Sequence, residues 1–93
     1  MSIVARFTPT SAVTTQQYDE SIRRLEESED WPPEGLDYHV AFGADGNFRV
    51  SEIWDTQEQL EAFGKRLMPL LADIGIELAG PPEVFEVHNI VKR

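Results

Sequence analysis

The sequence contains no cysteine and only two histidines. Disulfide bonds, thiolate nucleophiles and cysteine-bound metals are therefore excluded. The two histidines do not form a His-x-His or His-x-x-x-His spacing, which would bring two imidazoles to one metal ion. We therefore expect no metal site.

Basic residues are also scarce, since 8 Lys and Arg stand against 17 Asp and Glu, a net charge of −9. Nucleic acids and anionic membranes bind clustered basic side chains, so neither partner is expected. No apolar run approaches the roughly 20 residues that span a bilayer. The start, "MSIVARF", lacks the pattern of a signal peptide. The sequence therefore predicts a cytoplasmic protein.

The length and composition of the chain are those of a small globular protein. The chain has 93 residues, of which 41% are hydrophobic, including two Trp, two Tyr and five Phe. This length allows one domain, residues 1–93, and a partner subunit would add to the limited surface that such a chain buries.

Hydrophobic periodicity predicts six elements. Residues 14–17 read as a capping box that starts the first helix, because a Thr stands three positions before a Gln. A hairpin turns at "ADG", and a second helix follows Asp55 or Thr56, interrupted by Pro69. The predicted strands cover residues 2–8, 36–43, 47–54 and 84–91.

The order strand, helix, strand, strand, helix, strand predicts an α+β, ferredoxin-like βαββαβ fold. Its sheet has four antiparallel strands, and both helices cover one face. The hairpin alternation assigns Tyr38, Val40 and Phe42 to the helix side, with Tyr38 opposite Glu52. The opposite, open face then carries six residues: Val4, Arg6, His39, Ala41, Ser51 and Ile53.

That open face is too apolar to remain in water. Covering it with the same face of a second copy is the simplest solution, since twofold dimers are the commonest assembly. We therefore predict a homodimer through the open sheet face.

The segment "SEIWDTQEQLEAF" joins the third strand to the second helix. With the order of elements, it resembles the dimeric α/β-barrel superfamily, and most nearly the antibiotic biosynthesis monooxygenase-like domains, which have a Glu-x-Trp-x-Asp/Ser segment there. The resemblance implies a dimer and a cavity between sheet and helices, bordered here by Glu52 and Trp54. Phe63 and Gly64 stand where haem-degrading members carry a ligand histidine, so no haem and no other cofactor is expected.

Glu52 is the one carboxylate on an otherwise apolar strand face. It is either a general base in a pocket, where desolvation raises the pKa of a carboxyl group, or a structural residue paired near the strand end. The functional reading makes Glu52 and Tyr38 catalytic. Trp54 and Phe63 would then line the substrate cavity.

The last strand adds His88 and Asn89 as further substrate-binding candidates. Which side chains of this strand face the helices is ambiguous. Phe85, Val87 and Val91 would suit the helix side, which would send Glu86 and His88 to the dimer face and Asn89 to the pocket. His88 is therefore read either as part of an acid–base pair or as a hydrogen-bonded interface residue.

Two functions remain open from the sequence. One is a cofactor-independent monooxygenase- or isomerase-like enzyme, which would act on a small apolar or aromatic substrate held between sheet and helices. The other is a non-catalytic dimeric module that binds a small apolar ligand or a protein.

Overall fold

A computed structural model describes residues 2–29 and 31–93. Its elements follow the predicted order: β1 (Ile3–Phe7), α1 (Thr15–Glu27), β2 (Leu36–Phe42), β3 (Arg49–Trp54), α2 (Gln57–Ile74) and β4 (Glu83–Glu86). The strands form one antiparallel sheet in the order β2-β3-β1-β4. The predicted ferredoxin-like α+β fold is confirmed.

The start of α1 is determined by local hydrogen bonds. The Thr14 side chain accepts a bond from the backbone N–H of Gln17, and the Gln17 side chain accepts one from the Thr14 N–H at 2.9 Å. This is the predicted capping box, which satisfies two N–H groups that the helix itself leaves unpaired.

The second helix begins at Thr56, whose side chain caps the N–H of Gln59. It passes through Pro69 without a break and ends at Gly75, whose φ of 93° is accessible to glycine at little cost. Neither helix in the described ranges is long and apolar enough to cross a membrane.

The core lies between the sheet and the two helices. Trp54 is fully buried at its centre, and Phe63 from α2 lies against it with ring centroids 5.7 Å apart. The other buried members of this cluster come from β1 and both helices: Ile3, Ala5, Leu25 and Leu60.

The predicted register of the hairpin is wrong over most of its length. Leu36 does face Trp54 as predicted, but Asp37 is an extra residue in β2, and Tyr38 pairs with Ile53. This β-bulge moves each later residue of β2 to the opposite face of the sheet. His39, and not Tyr38, therefore lies opposite Glu52.

The open face is consequently more aromatic than the sequence predicted. Tyr38 and Phe42 project from it and are 54% and 43% exposed. His39 and Ala41, which were expected there, lie on the helix side instead.

The favoured orientation of the last strand, with Phe85 toward the helices, is wrong as well. Val84 packs against the core, whereas Phe85 pairs with Val4 on the open face and is 51% exposed. The strand ends at Glu86, so His88 and Asn89 lie beyond it and are exposed. Only four residues of β4 pair with β1, because the chain then leaves the sheet edge after one bond from Val87 to Ser2.

Candidate functional site

Four polar side chains form a continuous chain of hydrogen bonds beneath the helices. His39 Nδ1 lies 2.5 Å from Oε2 of Glu52, and the Trp54 indole N–H donates to Oε1 of the same carboxylate at 3.0 Å. On the other side of the imidazole, the Tyr18 hydroxyl lies 2.7 Å from Nε2. Three elements of the fold thus bring together Tyr18, His39, Glu52 and Trp54.

Neighbouring strands and the inner face of α1 position this chain. His39 and Glu52 are cross-strand partners in β2 and β3, and Trp54 is two residues further along β3 on the same face. Tyr18 reaches down from α1, and its ring stacks on His39 with centroids 5.9 Å apart and only 14° between the planes.

Glu52 is almost fully buried, and its side chain is 5% exposed. A carboxylate in such a place is costly unless both oxygens are paired, and here each oxygen accepts one N–H. Within the described residues, every buried side-chain nitrogen and oxygen has a hydrogen-bond partner. Both oxygens of the buried Glu52 carboxylate are therefore paired, one with His39 and one with Trp54.

Burial, and secondly the negative charges of Glu52 and Asp19, raises the pKa of the Tyr18 hydroxyl to about 12. Both effects disfavour the phenolate form. Tyr18 therefore stays protonated at neutral pH and is available as a hydrogen-bond donor to His39.

A small cavity of about 70 Å³ adjoins this chain. Tyr18, His39 and Glu52 supply polar groups to its wall, and the rest is largely apolar, including Phe63 from α2 and Trp31 from the loop before β2. A second, open recess of about 360 Å³ lies outside, between Trp31, Tyr38 and the edge of β2. The two spaces are separated by the same four side chains: Tyr18, Ile22, Trp31 and His39.

A larger groove of about 940 Å³ runs between α2 and the segment 75–84. That segment is held near the end of β1 by bonds from Ala79 to Thr8 and from Thr10 to Glu77. The groove and the small cavity share an apolar wall made by Phe7, Phe63, Leu67, Ile76 and Leu78.

The structure thus brings together some predicted site residues and separates others. Glu52 and Phe63 line the small cavity, and Trp54 lies behind Glu52 in the core. Tyr38 lies on the opposite side of the sheet, with its side chain toward the open face, because of the β-bulge at Asp37.

His88 and Asn89, the remaining candidates, are exposed beyond the end of β4 and are not among the residues of these cavities. Among the described residues, no three His, Cys, Asp or Glu side chains are grouped so as to hold a metal ion.

Sequence reasoning missed two members of the site, His39 and Tyr18. His39 was assigned to the open face that forms the predicted dimer interface, and Tyr18 was not among the candidate site residues. One signal was available, because a buried Glu52 requires a donor on the neighbouring strand. The alternation of β2 placed Tyr38 there, whereas a slip of one residue would have placed His39 there.

No protein-family model matches the chain, and no curated protein matches it in sequence. Solved structures match its fold over nearly its whole length. SnoaB from Streptomyces nogalater, a cofactor-independent oxygenase, has a TM-score of 0.63 and 12% identity, covering 99% of this chain and 96% of that one. A candidate antibiotic biosynthesis monooxygenase from Deinococcus radiodurans has a TM-score of 0.62 and 13% identity, covering 100% and 98%.

A similar candidate from Caulobacter crescentus has a TM-score of 0.58 and 16% identity, covering 97% of this chain and 89% of the other. The predicted resemblance is confirmed for the fold, which is that of the antibiotic biosynthesis monooxygenase-like proteins. At these identities the comparison speaks only for the fold.

Proposed function

We propose that this protein is a cofactor-independent enzyme, of the oxygenase or isomerase kind, that removes a proton from a small apolar or aromatic substrate. The observation that carries the proposal is the buried pair of His39 and Glu52 on the wall of an otherwise largely apolar cavity. A carboxylate that holds and charge-balances an imidazole is a common arrangement for a general base.

The chemistry needs only a base and a dry site. Loss of a proton from an activated methylene group leaves a carbanion, and reaction with dioxygen then converts the methylene to a carbonyl group with release of water. Return of the proton at another carbon would instead complete an isomerisation. The His39–Glu52 pair serves either outcome, because both begin with the same proton transfer.

The two cavities suggest how such a substrate is held. The inner space of about 70 Å³ admits dioxygen or the reacting end of a molecule, while typical ligand sites measure roughly 300 Å³ or more. The groove of about 940 Å³ beyond the shared wall has room for the remaining rings. Substrate entry then requires Phe7 or Phe63 to move aside.

The functional unit in this proposal is a homodimer that forms through the open sheet face. Three aromatic side chains, Tyr38, Phe42 and Phe85, are each more than 40% exposed on that face. Aromatic side chains exposed on one face of a sheet are typical of protein interfaces. The cytoplasmic location expected from the sequence stays a prediction.

Anthrone is a suitable probe, because it is flat and apolar and has one activated methylene group. The enzyme is expected to exchange this methylene with deuterium in anaerobic D2O, followed by NMR, and in air to form anthraquinone and water with uptake of one dioxygen. His39→Gln and Glu52→Gln are expected to reduce the exchange rate by about 10²-fold. Glu83→Gln removes an exposed carboxylate and serves as the control.

The small volume of the inner cavity favours one alternative, a non-catalytic dimeric module that binds a small apolar ligand or a protein. In that case neither exchange nor oxygen uptake exceeds the rate in buffer, and His39→Gln changes only stability. Exchange without oxygen uptake would indicate the isomerase branch.

A further inference from the structure

The donor and the acceptor of each hydrogen bond around His39 can be assigned. Trp54 Nε1 can only donate, so Oε1 of Glu52 is an acceptor, and a carboxylate accepts at its second oxygen as well. The proton between His39 and Glu52 is therefore assigned to Nδ1 of the imidazole. A neutral imidazole then has its lone pair on Nε2, where it accepts the hydroxyl hydrogen of Tyr18.

This assignment leaves His39 without a free basic nitrogen. Nδ1 is bonded to Glu52 and Nε2 is covered by Tyr18, so a molecule in the cavity cannot reach the imidazole lone pair. The Tyr18 oxygen keeps an unused lone pair, and Tyr18 lines the same cavity. Glu52 also lines this cavity and keeps a second lone pair on each oxygen, but the Tyr18 hydroxyl oxygen is the open basic position that leads to the imidazole.

We propose that Tyr18 is the catalytic residue that receives the substrate proton, and that His39 acts through it. This inference rests on the proposed function. The substrate proton forms a bond to Tyr18 Oη while the original hydroxyl proton moves to Nε2. The products are a substrate anion, a neutral Tyr18 and an imidazolium whose charge is balanced by Glu52.

The position of Tyr18 allows the hydrogen-bond chain to return to its starting protonation state. Its side chain and that of His39 border both the inner cavity and the outer recess. Water in the recess takes the proton from the imidazolium through the Tyr18 hydroxyl. The inner cavity does not have to open to bulk water for this step.

The surroundings keep Tyr18 neutral throughout. The titratable groups that face it are His39 from β2, Glu52 from β3 and Asp19 from its own helix. The α2 side chains that line the cavity are apolar: Phe63, Leu67 and Leu71. Because burial and the two carboxylates raise its pKa to about 12, Tyr18 passes a proton on without accumulating as phenolate.

The test measures deuterium exchange of anthrone in Tyr18→Phe, Tyr18→Ala and His39→Gln. Tyr18→Phe keeps the ring and removes the hydroxyl, so kcat is expected to fall by about 10²-fold with little change in KM. Thermal unfolding establishes that each variant is folded.

Chemical rescue separates the hydroxyl from the space that the ring fills. Phenol added to Tyr18→Ala is expected to restore exchange at least about tenfold, whereas toluene, which has the same shape without a hydroxyl, is expected to have no effect. A merely structural role for Tyr18 predicts equal rescue by the two molecules.

The outcomes distinguish this inference from the proposed function. If His39→Gln loses exchange and Tyr18→Phe does not, or if toluene rescues as well as phenol, the role of Tyr18 is wrong while the base remains His39. If neither His39→Gln nor Glu52→Gln loses exchange, the proposed function itself fails. A ¹⁵N NMR spectrum that finds the His39 proton on Nε2 also overturns the proposed proton transfer through Tyr18, because Nε2 could then not accept the Tyr18 proton.

Discussion

The two faces of the sheet reverse the usual distribution of side chains. The helix-covered face buries a carboxylate, an imidazole and part of a phenol, all joined by hydrogen bonds. The uncovered face exposes Tyr38, Phe42 and Phe85 instead. Burial of polar groups is tolerated where each has a partner, and exposure of aromatic groups is tolerated where a second surface will cover them.

The two faces of the sheet are therefore expected to have different roles. On the inner face, the polar groups define one arrangement of His39, because Glu52 and Tyr18 together satisfy both ring nitrogens. On the outer face, the exposed aromatic side chains supply apolar area. Chemistry is expected at the inner face and association at the outer face.

The largest expected effect comes from removing the carboxylate of the inner face. Glu52→Ala leaves the N–H groups of His39 and Trp54 without an acceptor in a buried place. We expect the free energy of unfolding to fall by about 3 kcal/mol or more, measured by urea denaturation at pH 7. Glu83→Ala, an exposed carboxylate on β4, should change it by less than about 0.5 kcal/mol. Equal effects of the two substitutions would refute the central role of Glu52.

The second prediction concerns disruption of the predicted dimer interface on the outer face. Phe85→Asp places a charge on the open face beside Val4, and a twofold interface meets each substitution twice. We expect the dimer dissociation constant to rise by about 10²-fold in analytical ultracentrifugation, with the fold retained in circular dichroism. Met68→Asp is the matched control, because Met68 is 50% exposed on α2, away from the open face. A wild-type protein that sediments as a monomer would contradict the predicted dimer.

The third and smallest effect is spectroscopic and reports the inner face alone. Because the folded-state pKa of Tyr18 is raised from 10.0 to about 12, its contribution to stability is fully present below pH 10 and is lost as the pH rises to about 12. The difference in absorbance at 295 nm between wild type and Tyr18→Phe should therefore titrate near pH 12. A midpoint near pH 10 would mean that Tyr18 is in water and not bonded to His39.

Much of the fold could be predicted from features of residues that are close in sequence. The capping box at Thr14 and Gln17 was identified and is confirmed, and of the two predicted starts of the second helix, Asp55 and Thr56, the structure has Thr56 as the cap. These features depend on residues close in sequence, so no distant contact alters them. The order of elements followed from them.

The candidate site was readable only in part. Glu52 was singled out because it interrupts an apolar row, and it does line a cavity. Its partner was misassigned because alternation predicts a face only while the register is regular, and the extra residue at Asp37 ends that regularity. The rule that apolar residues face the helices also failed, since the open face is itself apolar.

The sequence by itself determined where the two helices begin, the order of the elements, and the presence of a carboxylate that needs a partner. These properties arise from hydrogen bonds, side-chain spacing and chain stiffness over a few residues. Only the tertiary structure decided that His39 and Tyr18 are the groups that meet Glu52. That choice depends on a slip of one residue between two strands and on the approach of a helix from elsewhere in the chain, and such packing between distant segments has no local signature.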